Sequence, residues 1–222
     1  MPDVAAFDFD GTLTTGGSVF GFLSAVSGRR AVLSASLRLA PRLAHAALVG
    51  GTVADRTKEL LFERVLAGVP TDRAEQVATT FGARHLAGHR RAVVQRRFDW
   101  HRARGDRVVI VSASPEMYVG VAARQLGADG VIATRLAVRD QILTGRYQGL
   151  NCRGDEKLRR LRQWIDESHL GTERLWAYGN SRGDLTMLGA ADVGIDVGRL
   201  GRLGRLRSFP RLPSTGPGLN QA

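Results

Sequence analysis

The first apolar run of this chain stops on two carboxylates. Val4, Ala5, Ala6, Phe7 and Phe9 have the character of a strand buried on both faces, and Asp8-Phe9-Asp10-Gly11-Thr12 ends it in a turn. No second strand follows at once. From about residue 18 to 104 the pattern is helical, and only then does an apolar strand return at 107–112. A chain that opens one strand, inserts a long helical block and then resumes alternating strand and helix is predicted to build a parallel α/β sheet. The insertion lies over the carboxyl ends of the strands, the edge where open α/β sheets bind ligands.

Punctuation within the two parts is legible. An Ala/Leu-rich helical stretch at 31–49 ends at Gly50-Gly51, and a second helix at 53–67 stops at Gly68. Asp72 and Glu75 have the spacing of a capping box for a third helix, which runs on to Arg104 with a break near Gly88. After the strand at 107–112, a helix at 117–126 closes on Gly127. Strands are expected at 131–138 and 142–147 about an Arg139-Asp140 turn. A helix at 155–168 has Asp155 as its N-cap, and a strand at 175–178, a helix at 184–190 and a last strand at 193–197 complete the core. The predicted organisation is a core of 1–14 and 96–200, a helical cap of 15–95, and a flexible basic tail of 201–222 rich in Arg, Gly and Pro.

The 222 residues suffice for one sizeable core with a smaller module. A single cysteine, Cys152, excludes an internal disulfide and fits a reducing, cytoplasmic compartment. No secretion signal is expected in the N-terminal residues, and the longest apolar window, 31–49, is interrupted by Arg38, Pro41, Arg42 and His45, unlike a membrane span. The net charge of +11 is the compositional anomaly and points to an anionic partner.

Four groups of residues carry chemistry. Asp8 and Asp10 would be costly together at a buried strand end without a cation or another offsetting charge, and Gly11 lets the chain bring an amide close to an oxyanion. Ser112 ends the returning strand, and the segment Ser112-Ala113-Ser114-Pro115 leads into a helix with Pro115 near its first position, which suits a phosphate. Lys157 falls in the first turn of a helix, where the macrodipole disfavours a cation unless an anion lies nearby; Arg153, four residues earlier, is its rival. Asn180 and Asp184, in Gly179-Asn180-Ser181-Arg182-Gly183-Asp184, offer hard oxygen atoms of the kind Mg²⁺ takes.

In this order and at these strand ends, the four groups resemble the haloacid dehalogenase superfamily, and the helical insertion resembles the cap of its phosphoserine-phosphatase-like branch. The resemblance runs to about Val197. It implies a Rossmann-like parallel sheet flanked by helices, with an all-helical cap inserted after the first strand. It also implies that Asp8 is a nucleophile forming an aspartyl-phosphate and that Asp10 is a general acid and then a general base. Ser112, Lys157, Gly11, Thr12 and Ala113 would hold the phosphoryl group, and Asp8, Asp10, Asn180 and Asp184 would hold Mg²⁺. Arg64 resembles a cap arginine that binds a substrate anion. Two departures stand out: Asn180 replaces a frequent Asp, and Gly17 occupies the position where phosphoserine enzymes carry a Glu for the substrate amino group.

The expected function is therefore hydrolysis of a small phosphorylated metabolite. The alternative is a phospholipid head-group phosphatase, of the phosphatidylglycerophosphate kind, in peripheral contact with an anionic membrane. The apolar 31–49 stretch with Arg29, Arg30, Arg38 and Arg42 is compatible with it, although Leu33, Leu37, Leu39, Leu43 and Leu48 are expected to form the cap's own interior. Phosphoserine is disfavoured by Gly17. A module that merely grips nucleic acid is disfavoured because the basic tail and the cluster of Arg90, Arg91, Arg96, Arg97, Arg102, Arg104 and Arg107 come with no base-reading motif.

Overall fold

The computed structural model describes residues 2–168, 173–198 and 209–212. β1 (Val4–Phe7) is followed by α1 (Val19–Ser27), α2 (Arg29–Arg38), α3 (Ala40–Val49), α4 (Gly51–Leu66), α5 (Thr71–His89) and α6 (Ala92–Ala103). The chain then forms β2 (Arg107–Pro115), α7 (Glu116–Leu126), β3 (Gly130–Thr134), a hairpin of β4 (Leu136–Arg139) and β5 (Ile142–Tyr147), and α8 (Asp155–Glu167). It ends in β6 (Leu175–Gly179), α9 (Leu185–Ala190) and β7 (Val193–Asp196). β3, β2, β1, β6 and β7 lie in that order in one sheet, every neighbouring pair parallel. This is the expected α/β architecture.

Both faces of the sheet are covered, which is why its strands read as unbroken apolar runs rather than alternating ones. Val4 and Ala6 turn with Val109, Val111 and Ala177 toward Leu161 of α8 and Met187 and Leu188 of α9. Ala5 and Phe7 turn the other way with Val108, Ile110, Trp176 and Tyr178. There Phe7 stacks on Tyr178 at 4.2 Å between ring centroids, and Phe98 of α6 tilts against Phe7 at 5.2 Å.

Several local expectations are corrected. The 31–49 stretch begins earlier and is two helices, broken at Leu39 because Pro41 sits in the first turn of α3 and cannot donate a backbone hydrogen bond back to α2. No capping box forms from Asp72 and Glu75: Pro70 stands at the N-cap and Asp72 lies in the first turn. Gly154, at φ 59°, takes the N-cap position expected of Asp155. The long helix to Arg104 breaks at residues 90–91, where Arg91 N donates to Leu13 O (3.0 Å) and Thr15 N to His89 O (2.7 Å). A division of the chain at residue 95 therefore falls inside α6. The 131–138 segment is divided between the main sheet and the hairpin.

Where that hairpin docks is the feature least expected. Gly68 N donates to Leu143 O (3.0 Å), Leu143 N to Val69 O (2.9 Å) and Thr71 N to Gln141 O (2.9 Å), so β5 is stitched to the α4–α5 turn. Gly145 makes the approach possible. At φ 77° it lies where a Cβ would come within 2.4 Å of Glu63 Cα.

The helical insertion also departs from expectation at its surface. Of the leucines assigned to its interior, Leu39 is buried and Leu43 partly so, while Leu33, Leu37 and Leu48 are 61%, 66% and 83% exposed. The expected tail, 201–222, lies outside the described residues except for 209–212. That segment runs beside β7, with Asp196 N donating to Pro210 O (3.0 Å) and Leu212 N to Asp196 O (3.3 Å).

Candidate active site

The carboxyl ends of β1, β2 and β6 converge with the N-terminus of α8, and the predicted residues meet there. Asp8 follows the last residue of β1, its main-chain N–H still bonded to Tyr178 O (2.9 Å), so its side chain is fixed just beyond the sheet edge. Lys157 points back from the first turn of α8 and is fully buried. Its Nζ donates to Asp8 Oδ1 (2.5 Å) and to Asp184 Oδ1 (2.6 Å). The cation that the helix dipole disfavours is thus held by two buried carboxylates.

The two carboxylates are not equivalent. Asp184 Oδ2 accepts three further hydrogen bonds, from Asn180 N (3.1 Å), Ser181 N (2.9 Å) and Ser181 Oγ (2.8 Å). Burial pushes its pKa up, but Lys157 and Ser181 outweigh this and hold it below the usual value. Among the described residues, Asp8 has Lys157 alone for a side-chain partner. Burial and the neighbouring Asp184 charge raise its pKa against the pull of Lys157. Lys157 itself is pushed down by burial and up by Asp184 and Asp8; the carboxylates prevail and keep it protonated.

Asp10 sits on the neighbouring side in a hydroxyl network that sequence reading missed. Its Oδ1 accepts from Ser18 N (2.8 Å), and its Oδ2 from Ser18 Oγ (2.9 Å) and from Ser114 Oγ. Ser18 Oγ also pairs with Tyr118 OH at 2.6 Å. The Ser114 hydroxyl thus orients Asp10. Gly11 turns the loop at φ 80°, and a Cβ there would lie 1.9 Å from Asn180 Nδ2, so the loop rests directly against Asn180. Arg91 fastens this loop from the other side, donating to Gly11 O and, at 2.6 Å, to Val197 O. Ser112 is buried, its Oγ accepting from Ser114 N (3.1 Å). Thr12 Oγ1 and Asn180 Oδ1 are both buried without a hydrogen-bond partner among the described residues.

The insertion reaches this centre through α4. Lys58 Nζ donates to Ala113 O (2.6 Å) and lies near Asp10 and Asp55; burial lowers its pKa to about 8 against the pull of those carboxylates. Asp55, one turn earlier, accepts from Asn151 Nδ2 (2.7 Å), whose Oδ1 in turn accepts from Thr134 Oγ1 (2.8 Å). Arg153 lies against Gly183 with its NH1 4.0 Å from Asp55 Oδ1, so it stands beside the site, and Lys157, not Arg153, reaches Asp8. Arg64 is not brought to the cluster. It is exposed, six residues or about 240° around the helix from Lys58, and the neighbouring Glu63 and Glu59 are bonded to Arg146 and Tyr147 N. The signal that could have found Lys58 is its i, i+3 spacing from Asp55 in an otherwise apolar helix face.

The haloacid dehalogenase-like hydrolase model matches residues 5–189. The chain is 36% identical over 192 residues to Protein CicA of Caulobacter vibrioides, covering 86% of this chain and 84% of that protein. It is 35% identical over 144 residues to a phosphoserine phosphatase of Lactococcus lactis, covering 62% of each. In three dimensions it is similar to a crystal structure of a protein of unknown function from Bordetella pertussis Tohama I. That match has 22% identity and a TM-score of 0.79, and covers 96% of this chain and 99% of the other. With its motifs gathered at one sheet edge and the family model spanning sheet and insertion alike, the chain belongs to the haloacid dehalogenase-like hydrolases, on their phosphoserine-phosphatase-like side.

Proposed function

We propose that the chain is a Mg²⁺-dependent phosphomonoester phosphatase acting through an aspartyl-phosphate on Asp8. The observation that carries this reading is the buried Asp8–Lys157–Asp184 chain, with the Asp10 carboxylate beside it in a separate hydroxyl cradle. Two carboxylates in such different surroundings suit two different tasks.

In the first step an Asp8 oxygen forms a bond to phosphorus as the bond to the ester oxygen breaks, and the departing oxygen takes a proton from the Asp10 carboxyl. In the second step water attacks the phosphorus of the acyl phosphate, Asp10 takes the water's proton, and the Asp8–phosphorus bond breaks to release phosphate. Ser18 and Ser114 hold Asp10 in place for both transfers. Lys157, Ser112 and the Gly11 amide stabilise the oxygens of the moving phosphoryl group, where positioning and charge supply most of the acceleration.

The donor set fits Mg²⁺. The Asp8 and Asp184 carboxylates, the Asp10 carbonyl and the orphaned Asn180 Oδ1 are all hard oxygens, and Mg²⁺ takes few carboxylates. Bound there, the ion would neutralise charge on the phosphoryl oxygens. Lys58 of α4 is the cap group suited to a further anionic part of the substrate, in the role expected of Arg64. Phosphoserine is disfavoured because Gly17 brings no carboxylate and Ser18 is turned inward onto Asp10. A lipid-borne phosphomonoester is the second reading, favoured by the exposed leucines of α2 and α3.

Purified wild type should release phosphate from a panel of soluble and lipid phosphomonoesters only with Mg²⁺, and Asp8→Asn should lose at least about a thousandfold in kcat. A folded Asp8→Asn protein with full activity would sink the mechanism.

A further inference from the structure

α3 is a ten-residue helix, Ala-Pro-Arg-Leu-Ala-His-Ala-Ala-Leu-Val, that buries Ala46 alone. Pro41, Ala44 and Leu48, at i, i+3 and i+7, share one exposed face. On α2 the i, i+4 pair Leu33 and Leu37 is likewise exposed, and Phe20 of α1 is 54% exposed. An amphipathic helix ordinarily turns its leucines inward; here the inward positions of α2 are taken by Val32 and Ala35, and the larger side chains face out. Such a surface marks a binding partner.

Charge identifies the partner. Between Gly11 and Ala54 there is no Asp or Glu, while Arg29, Arg30, Arg38 and Arg42 all stand exposed around the leucines. A second copy of the chain would bring the same uncompensated cations against them, and so would the Arg-rich segment after Gly198, which disfavours both as occupants. Nucleic acid would satisfy the arginines and leave the leucines in water. A bilayer with anionic lipid satisfies both, taking leucines into the acyl boundary and arginines onto headgroup phosphates.

We propose that the α1–α3 end of the insertion docks on anionic membrane, with Leu33, Leu37 and Leu48 as the inserted side chains. α4 follows α3 directly and carries Asp55 and Lys58 into the catalytic centre, so docking places that centre near the lipid surface. No helix among the described residues is long and apolar enough to cross a membrane, so the contact is peripheral.

The test is co-sedimentation of the full chain with phosphatidylcholine vesicles, with and without phosphatidylglycerol. Wild type and Asp8→Asn should both bind the anionic vesicles, more weakly as salt rises, and neither should bind the neutral ones. Leu37→Glu/Leu48→Glu should weaken binding at least about tenfold, and Arg38→Glu/Arg42→Glu should abolish the preference for anionic lipid. Both double variants alter exposed residues and should keep wild-type hydrolysis of p-nitrophenyl phosphate, which separates failure of docking from failure of catalysis. Equal binding by Leu37→Glu/Leu48→Glu and wild type would overturn the proposal, as would equal affinity for neutral and anionic vesicles. A wild-type dimer that the leucine variant dissociates would assign the surface to a second copy instead.

Discussion

Lys157 and Lys58 show how burial and carboxylates decide the state of a lysine. Lys157 touches two carboxylates and stays charged; Lys58 hydrogen-bonds a carbonyl and is lowered to about 8 by burial. If Lys58 binds a substrate anion, kcat/KM must fall as pH rises through about 8, because its charge is present below that pH and lost above it. Lys58→Arg should shift this fall to higher pH, Lys58→Ala should lower kcat/KM about tenfold, and Arg64→Ala should change neither; pH profiles of the three variants check this. Asp8, Asp10, Ser112, Lys157, Asn180 and Asp184 were legible as residues because each ends a strand or opens a helix at a recognisable spacing. Ser18, Ser114 and Lys58 were not, since their roles depend on how the start of α1, the end of β2 and α4 come together over the sheet edge, and no local pattern records that.

Among the elements, boundaries set by Gly and Pro were largely readable, whereas contacts between distant segments were not. The β4–β5 hairpin was visible as two expected strands about the Arg139-Asp140 turn, but nothing in its sequence says that it joins the α4–α5 turn. Gly145 carries that information silently, as the position where the hairpin meets the α4 backbone. Gly145→Ala should therefore destabilise the protein by about 2 kcal/mol or more, since it imposes both a positive φ and a backbone clash. Denaturant unfolding measures the loss, and hydrogen exchange should show it first in β5 and the α4–α5 turn.

Over the whole molecule, the sheet is locked to α6 by a buried polar chain. Arg97 Nε donates to Tyr178 OH (2.9 Å), Tyr178 OH donates to His101 Nε2 (2.7 Å), and His101 Nδ1 donates to Asp106 Oδ2 (2.7 Å). This arrangement needs a neutral imidazole. Burial, with Arg97 and Arg104 nearby, lowers the pKa of His101 to about 3 from an ordinary 6.5. The unfolded chain then binds the extra proton first, so stability from this group is complete above pH 6.5 and is lost as pH falls toward 3. Stability measured by denaturant across that range should drop by up to ~1.4 kcal/mol per pH unit, and His101→Gln should flatten the slope. The α/β class and the inserted helices could be read from the sequence, whereas the outward-facing leucines could not, because apolar content does not tell which side of a helix lacks a neighbour.

The two stitched places in the fold constrain how the catalytic centre opens. The helical insertion is tied to the sheet-bearing part at Thr14–Arg90 by bridging backbone, and again where β5 meets Gly68 and Thr71. Between those places α5 packs along α7, and Asp55 of α4 is bonded to Asn151. Any opening of the insertion away from the core would have to break that Asp55–Asn151 hydrogen bond.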